Sequence, residues 1–270
     1  MVKITKAIIP AAGYGTRNLP ITKVVPKEMF PIAGKPAIHY IVDEAIASGI
    51  EEILIVVSRN KNIIMDYFDR SLEYESFLEK ANKQHLLEKI AIPDVHIQYV
   101  RQSFAAGLGD AIKLGRHFAG TEPIAVMLPD DLFICTDTPA LAQLVNSFHN
   151  TSRSTIALEQ VKKENLKNYG VIKEEKITKE LYKLLDIEEK PQSDPPSNLA
   201  VSGRYVLTPA IFTHLDKVKK GSGGEIQLTD AIKSLITEED CFGVEIKGER
   251  FDLGSETEYM NLIKKMILDS

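Results

Sequence analysis

The sequence predicts an α/β protein built on a doubly wound, mixed but mostly parallel sheet. Three observations predict it. A strand–helix rhythm runs through the first half, the strands are short continuous apolar runs, and they break off at Pro, Gly or Asp clusters. The carboxyl ends of such strands are where open α/β sheets bind ligands.

Ala7-Ile8-Ile9 reads as a short buried strand ending at Pro10. Apolar residues Ile38, Ile41, Val42, Ala45 and Ile46 share one face of a helix from Ala37 to Ala47. Ile53 to Val57 is a β-branched run suited to a strand covered on both faces. A helix from about Asn60 to Asp69 follows, then a charged amphipathic helix or helix pair from Leu72 to Ile90, which suits a solvated excursion or a subunit contact. The rhythm resumes with a strand at Val95 to Val100, a helix at Asp110 to Phe118 and a strand at Ile124 to Leu128. In the second half Thr155 to Val161, Ala200 to Leu207 and Phe242 to Ile246 look like strands, and Gln192 to Asn198 is a Pro- and Ser-rich loop. Glu225 to Ile236 reads as a helix reached through Gly221-Ser222-Gly223-Gly224, and Glu256 to Leu268 as a closing helix.

With 270 residues, the chain suits one large domain or one domain with a modest appendage. A formal charge of −5 argues against broad attraction to nucleic acid or anionic lipid. Anions must therefore be held locally. Cys135 and Cys241 lack metal-ligand spacing and read as reduced thiols, and the six histidines show no useful pairing. The start resembles no signal peptide and no apolar run is long enough to span a bilayer, so the cytoplasm is the expected compartment.

Directly after the first strand stands Ala11-Ala12-Gly13-Tyr14-Gly15-Thr16-Arg17. Small residues and two glycines let main-chain N–H groups approach an anion closely. Alone, this pattern also suits a plain turn. A dinucleotide fingerprint fails on Asn18 and on Val57-Ser58-Arg59, which lacks the expected acid; a Walker A loop fails at Met29 and Pro36. The loop carries positive charge instead, Arg17 and then Lys27, which suits a triphosphate.

Gly13-x-Gly15-x-Arg17 followed by Pro26-Lys27 resembles the signature of sugar-nucleotide pyrophosphorylases. The wider stretch from Ile9 to Arg17, with Thr22-Lys23 and Pro26-Lys27-Glu28-Met29, is similar to the bacterial UTP–glucose-1-phosphate uridylyltransferase branch. The likeness continues through Gly107-Leu108-Gly109, Leu128-Pro129-Asp130-Asp131, Glu189-Lys190-Pro191, Gly203 to Leu207, Gly224 to Asp230 and Phe251-Asp252-Leu253-Gly254. It implies a Rossmann-like nucleotidyltransferase fold, related to the glycosyltransferase-A type, in a single domain over 1–270. A nucleotide half would span about 1–135, a sugar half about 136–255, and a C-terminal helix 256–270.

The implied reaction joins a nucleoside triphosphate to a sugar 1-phosphate. The attacking phosphate is already an anion, so no general base is needed. The barrier is the approach of two polyanions, several kcal/mol at contact for an effective dielectric of about 20. The site therefore needs cations and a metal, here Mg²⁺. Asp130, just past a buried strand, is the expected hard-oxygen ligand, with Asp252 the second candidate and Asp131 standing behind the metal. The resemblance makes Arg17, Lys27, Asp130 and Lys190 the catalytic set. It assigns Lys190 to the sugar phosphate, Glu189 to sugar hydroxyls and Gly170 to close approach of the hexose. Ala11, Ala12, Gly13, Gly15 and Thr16 would hold the nucleotide, with Gln102 and Gly107 on the base.

The expected partners are UTP and glucose 1-phosphate, with no nucleic acid and no membrane, in a homodimer or homotetramer. Departures from the family pattern fall at Asn18, at Ala33-Gly34 and after Asp252, where Leu253-Gly254-Ser255-Glu256 stands. These spare the phosphate and metal residues and weaken the transfer of sugar preference. The motif leaves open a thymidylyl or hexosamine-specific enzyme, and a silent sugar-nucleotide sensor.

Overall fold

A computed structural model describes residues 2–221 and 224–268. In chain order the first half comprises strand β1 (Lys6–Pro10), a small hairpin of β2 (Pro31–Ile32) and β3 (Lys35–Pro36), helix α1 (Ala37–Ala47) and strand β4 (Glu52–Val57). Helices α2 (Asn62–Phe68) and α3 (Leu72–Lys80), strand β5 (His96–Arg101), helices α4 (Leu108–Lys113) and α5 (Arg116–Ala119) and strand β6 (Ile124–Met127) complete it. The second half holds β7 (Asp131–Ile134), α6 (Ala140–Thr151), β8 (Thr155–Gln160), β9 (Gly170–Lys176), β10 (Leu181–Glu189) and β11 (Leu199–Leu207). It ends with α7 (Ala210–Lys217), α8 (Leu228–Ile236), β12 (Phe242–Glu245), β13 (Glu249–Asp252) and α9 (Glu256–Leu268).

Nine strands form one sheet in the order β5-β4-β1-β6-β11-β8-β12-β10-β9. Successive side chains of a strand face opposite ways. Accordingly Ala7 and Ile9 of β1 pack with α1 and α6 on one face, while Ile8 packs with α4, α7 and α8 on the other. The same alternation splits Ile53, Ile55 and Val57 from Leu54 and Val56. Helices thus cover both faces, and continuous apolar strands are the consequence.

Parallel pairing joins β5 to β4, β4 to β1, β1 to β6, and β8 to β12. Neighbours elsewhere run antiparallel, from β6–β11 through to β10–β9. The sheet is mixed, as expected, but parallel pairing predominates only in the first half. Between β8 and β11 no α-helix intervenes, and strands joined without a crossover return antiparallel.

Two helix expectations are corrected. The helix expected from Asp110 to Phe118 is two short helices broken at Gly115, where a side chain would stand 2.4 Å from Ile8 Cδ1. The helix expected from Glu225 begins only at Leu228. Before it, Ile226 is held in a ladder with the loop after β5: its N–H donates to Ala106 O at 2.7 Å, and its carbonyl accepts from Gly109 N at 2.8 Å. Ser222 and Gly223 of the expected approach to α8 lie outside the described residues. No helix among the described residues is long and apolar enough to cross a membrane.

Candidate active site

The loops after β1, β4, β5 and β6 gather at one edge of the sheet, as strand ends in an open α/β fold do. In the first of them Gly15 has φ +64°, and a Cβ there would stand 3.0 Å from Thr22 Cγ2. Thr22 fastens the turn by donating its hydroxyl to Gly15 O at 2.8 Å. The side of Gly13 where a Cβ would point is open.

Arg17 crosses from this loop to two carboxylates. Its guanidinium donates to Asp252 Oδ2 and Oδ1 at 2.7 and 3.3 Å, and lies 3.9 Å from Asp130 Oδ2. Lys27 donates to the same Asp130 oxygen at 2.5 Å. The ribbon of β7 and β13 is what brings Asp252 here, since it pairs Asp131 with Asp252. Gly254 N–H donates to Asp252 Oδ1 at 2.7 Å, and Leu253 N–H to Asp130 O at 2.8 Å. Burial pushes the Asp130 carboxyl upward, but the charge and hydrogen bond of Lys27, with Arg17 adding, hold it below the usual carboxylate range. Burial pulls the Lys27 ammonium down, yet Asp130 and Glu28 carry it above its ordinary value.

Asp131 does stand behind the site. Its Oδ2 accepts from Gly203 N–H at 2.8 Å and its Oδ1 from Arg250 at 2.6 Å, so both oxygens are spent on the protein. Fully buried Arg204 braces the same turn, donating to Leu128 O, Asp131 O and the Glu44 carboxylate.

Across the cleft, the pairing of β9 with β10 sets Glu189 opposite Gly170. Thr229 donates to Glu189 Oε2 at 2.6 Å, and Lys190 Nζ lies 3.2 Å from Glu189 Oε1. Arg17, Asp130, Asp252, Gly170, Glu189 and Lys190 all line one cleft of about 690 Å³. The distant residues named from sequence therefore converge.

The nucleotide-side residues stand as follows in the fold. Ala11 and Ala12 are buried in the cores on the two faces of the sheet, and Ala11 N–H donates to Val56 O at 2.8 Å. Gly107 has φ +101°, but where its Cβ would stand Ile226 O is 2.5 Å away. That chain crossing is by itself a reason for the glycine. Gln102 is 4% exposed, and its amide nitrogen donates to Asp110 Oδ2 at 2.7 Å and Gly107 O at 3.3 Å.

A second cleft, of about 470 Å³, has Gly13, Thr16, Lys23, Lys27, Arg59 and Lys61 in its wall and no carboxylate. Behind it Lys61, 6% exposed, donates to both oxygens of Glu28, 1% exposed, at 2.8 and 2.9 Å. Burial holds the Lys61 ammonium below its usual range, against the pull of Glu28. Sequence reading missed Arg59 and Lys61, although Ser58-Arg59-Asn60-Lys61 follows a buried strand and so lies at the ligand edge.

The donor set fits a hydrated divalent cation. Among the described residues no group of three or more His, Cys, Asp or Glu is placed to cage a metal. Asp130 and Asp252 instead both approach the Arg17 guanidinium, and two hard carboxylates with water and phosphate oxygens are what Mg²⁺ commonly takes.

Residues 6–267 match the family model described as nucleotidyl transferase. A Bacillus subtilis protein named "Putative UTP--glucose-1-phosphate uridylyltransferase" is 53% identical, over 98% of this chain and 97% of its own. UTP--glucose-1-phosphate uridylyltransferase 1 of Staphylococcus saprophyticus is 47% identical, over 94% and 90%. A crystal structure of UDP-glucose pyrophosphorylase complexed with UDP-glucose matches with a TM-score of 0.88 at 42% identity, covering 99% of this chain and 100% of that one.

Proposed function

The chain belongs to the nucleotidyl transferase family, and from that premise we infer that it is a UTP:α-D-glucose-1-phosphate uridylyltransferase. A phosphate oxygen of glucose 1-phosphate attacks the α-phosphorus of UTP, the bond from that phosphorus to the bridging oxygen breaks, and pyrophosphate leaves with the electron pair. UDP-glucose is the other product. The observation that carries this reading is the single cleft shared by Arg17, Asp130 and Asp252 on one wall and Glu189 and Lys190 on the other.

The roles follow from charge and reach. Gly13, Gly15 and Thr16 offer main-chain and hydroxyl groups to the triphosphate, where the Gly13 side is open. Arg17, held by the carboxylates and with its side chain 59% exposed, presents its remaining N–H groups to a phosphate. Lys27 is held still by Asp130 and supplies a fixed positive charge. Lys190 takes the sugar phosphate, and Glu189, pinned by Thr229, accepts from sugar hydroxyls beside Gly170. Gln102 reads the base next to the backbone of Ala11, Ala12 and Gly107. Asp130 and Asp252 would hold Mg²⁺, which when bound screens the repulsion between the two phosphates. The nucleotide half falls at about 1–135 and the sugar half at about 136–255. A cytoplasmic homodimer or homotetramer belongs to the same reading, and light scattering after gel filtration tests the assembly.

A substrate panel tests the function. UTP or dTTP is mixed with glucose 1-phosphate or N-acetylglucosamine 1-phosphate and Mg²⁺, and pyrophosphate release is followed. UTP with glucose 1-phosphate is the expected best pair. Preference for another pair overturns the substrate assignment, and tight UDP-glucose binding without turnover makes the protein a sensor.

A further inference from the structure

Asp110 has no part in the reaction above, yet it grips the side chain assigned to the base. Gln102 follows β5, and its main-chain N–H continues the sheet by donating to Val57 O at 2.9 Å. A primary amide offers two N–H donors on nitrogen and an acceptor oxygen. The nitrogen of Gln102 faces two protein acceptors, Asp110 Oδ2 at 2.7 Å and Gly107 O at 3.3 Å. Turned over, the amide would set its oxygen against a carboxylate and a carbonyl with no proton between them, which costs far more than a lost hydrogen bond. The orientation is therefore imposed. Among the described residues, none donates to the amide oxygen, which is left for a ligand.

Asp110 is itself held in place. It lies in the first turn of α4, and residues 106–109 ahead of it are clamped by the two main-chain bonds to Ile226. Gly107 adds a backbone conformation that few other residues adopt, at φ +101°. The main chain that carries the carboxylate is therefore fixed by that crossing.

We propose that Asp110 is a positioning residue that makes Gln102 present only an acceptor to the base, and so selects pyrimidines protonated at N3, uracil or thymine, against cytosine. At the point where uracil carries N3–H, cytosine carries a bare lone pair, and two acceptors then meet. The proposal rests on the nucleotide reading given above.

Titration calorimetry of UTP and of CTP, with Mg²⁺ and no sugar phosphate, tests it on wild type, Asp110→Ala and the isosteric Asp110→Asn. Wild type should prefer UTP. In Asp110→Ala the freed amide can turn its nitrogen to cytosine N3, so the ratio of the two dissociation constants should move toward CTP by at least about fivefold, the low end of one base-edge mismatch. Asp110→Asn, whose own amide can pin either orientation, should fall between. Thermal melts of each variant report folding. A ratio unchanged in both variants overturns the proposal, whether the two affinities hold or fall together, as does a wild type without preference. Turnover of wild type with UTP and glucose 1-phosphate is measured separately. An Asp110-dependent ratio without turnover sinks the reaction and keeps the positioning role, and turnover with an unchanged ratio does the reverse.

Discussion

Replacing Gly254 by alanine should disable Arg17 without touching it. A Cβ at this position would stand 2.1 Å from Arg17 Nη2 and 2.3 Å from its Cζ. Non-bonded heavy atoms settle about 3.5 Å apart, so the guanidinium must retreat by roughly 1.4 Å. It can do so into solvent, because the Arg17 side chain is 59% exposed. The main-chain N–H that donates to Asp252 Oδ1 survives the change, and residue 254 is not among the described positive-φ positions. What is lost in stability is a partly exposed ion pair, at most about 1 kcal/mol, or about 2–4 °C in Tm. Misplacing a phosphate-gripping group by about 1 Å costs roughly 10²-fold in rate, equal to about 2.7 kcal/mol of transition-state stabilisation. The assay is kcat/KM for UTP and glucose 1-phosphate, alongside a thermal melt. A Gly254→Ala enzyme within about twofold of wild type would refute the role given to Arg17. So would a collapse in Tm large enough to explain the lost activity.

Three further outcomes follow from the same geometry. Asp130→Asn should fold but lose about three orders of magnitude in turnover, several kcal/mol of charge stabilisation, and near-normal activity with Mg²⁺ would remove Asp130 from the metal site. Glu28→Gln strands the buried Lys61 ammonium and should cost about 3–5 kcal/mol in urea denaturation, whereas adding Lys61→Met should recover most of it; a single variant within about 1 kcal/mol of wild type would show the pair is not buried as described. The Cys241 thiol is fully buried and pushed up to about 12 by burial and then by Glu239 and Asp240, so in native protein at pH 8 it should escape iodoacetamide and react only on unfolding. Peptide mass spectrometry reads this, and equal labelling of Cys241 in native and unfolded protein would contradict it.

How much of this was legible depends on whether the signal is local. Helix α1 shows itself through a 3.6-residue apolar period and β4 through five consecutive apolar residues, and both stand where expected. The Gly-rich loop needs nothing beyond its own residues and the strand before it. Strands β9 and β10 left little trace, because Leu181–Glu189 mixes charged residues with buried ones along a partly solvated strand. The antiparallel share of the second half follows from β8 to β11 having no crossover helices. The approach of Asp252 to Asp130 is set by a four-residue ribbon that pairs Asp252 with Asp131 and joins segments more than a hundred residues apart, and no local pattern announces it. Resemblance named both aspartates, but the ribbon gives the physical reason they meet. Gly107 carries a demand that no local pattern announces, since its Cβ would meet the main chain of Ile226. Lys61 was within reach of the strand-end rule and was missed because its acidic partner Glu28 lies far off in sequence.

Phosphorus NMR of the protein with UTP, glucose 1-phosphate and Mg²⁺ tests the central claim most directly. The account predicts that UDP-glucose and pyrophosphate signals grow in equal amounts as UTP and the sugar phosphate decline, and that growth stops on chelation of the metal. Unchanged substrate signals in folded protein that still binds UTP, or pyrophosphate released without UDP-glucose, would contradict it.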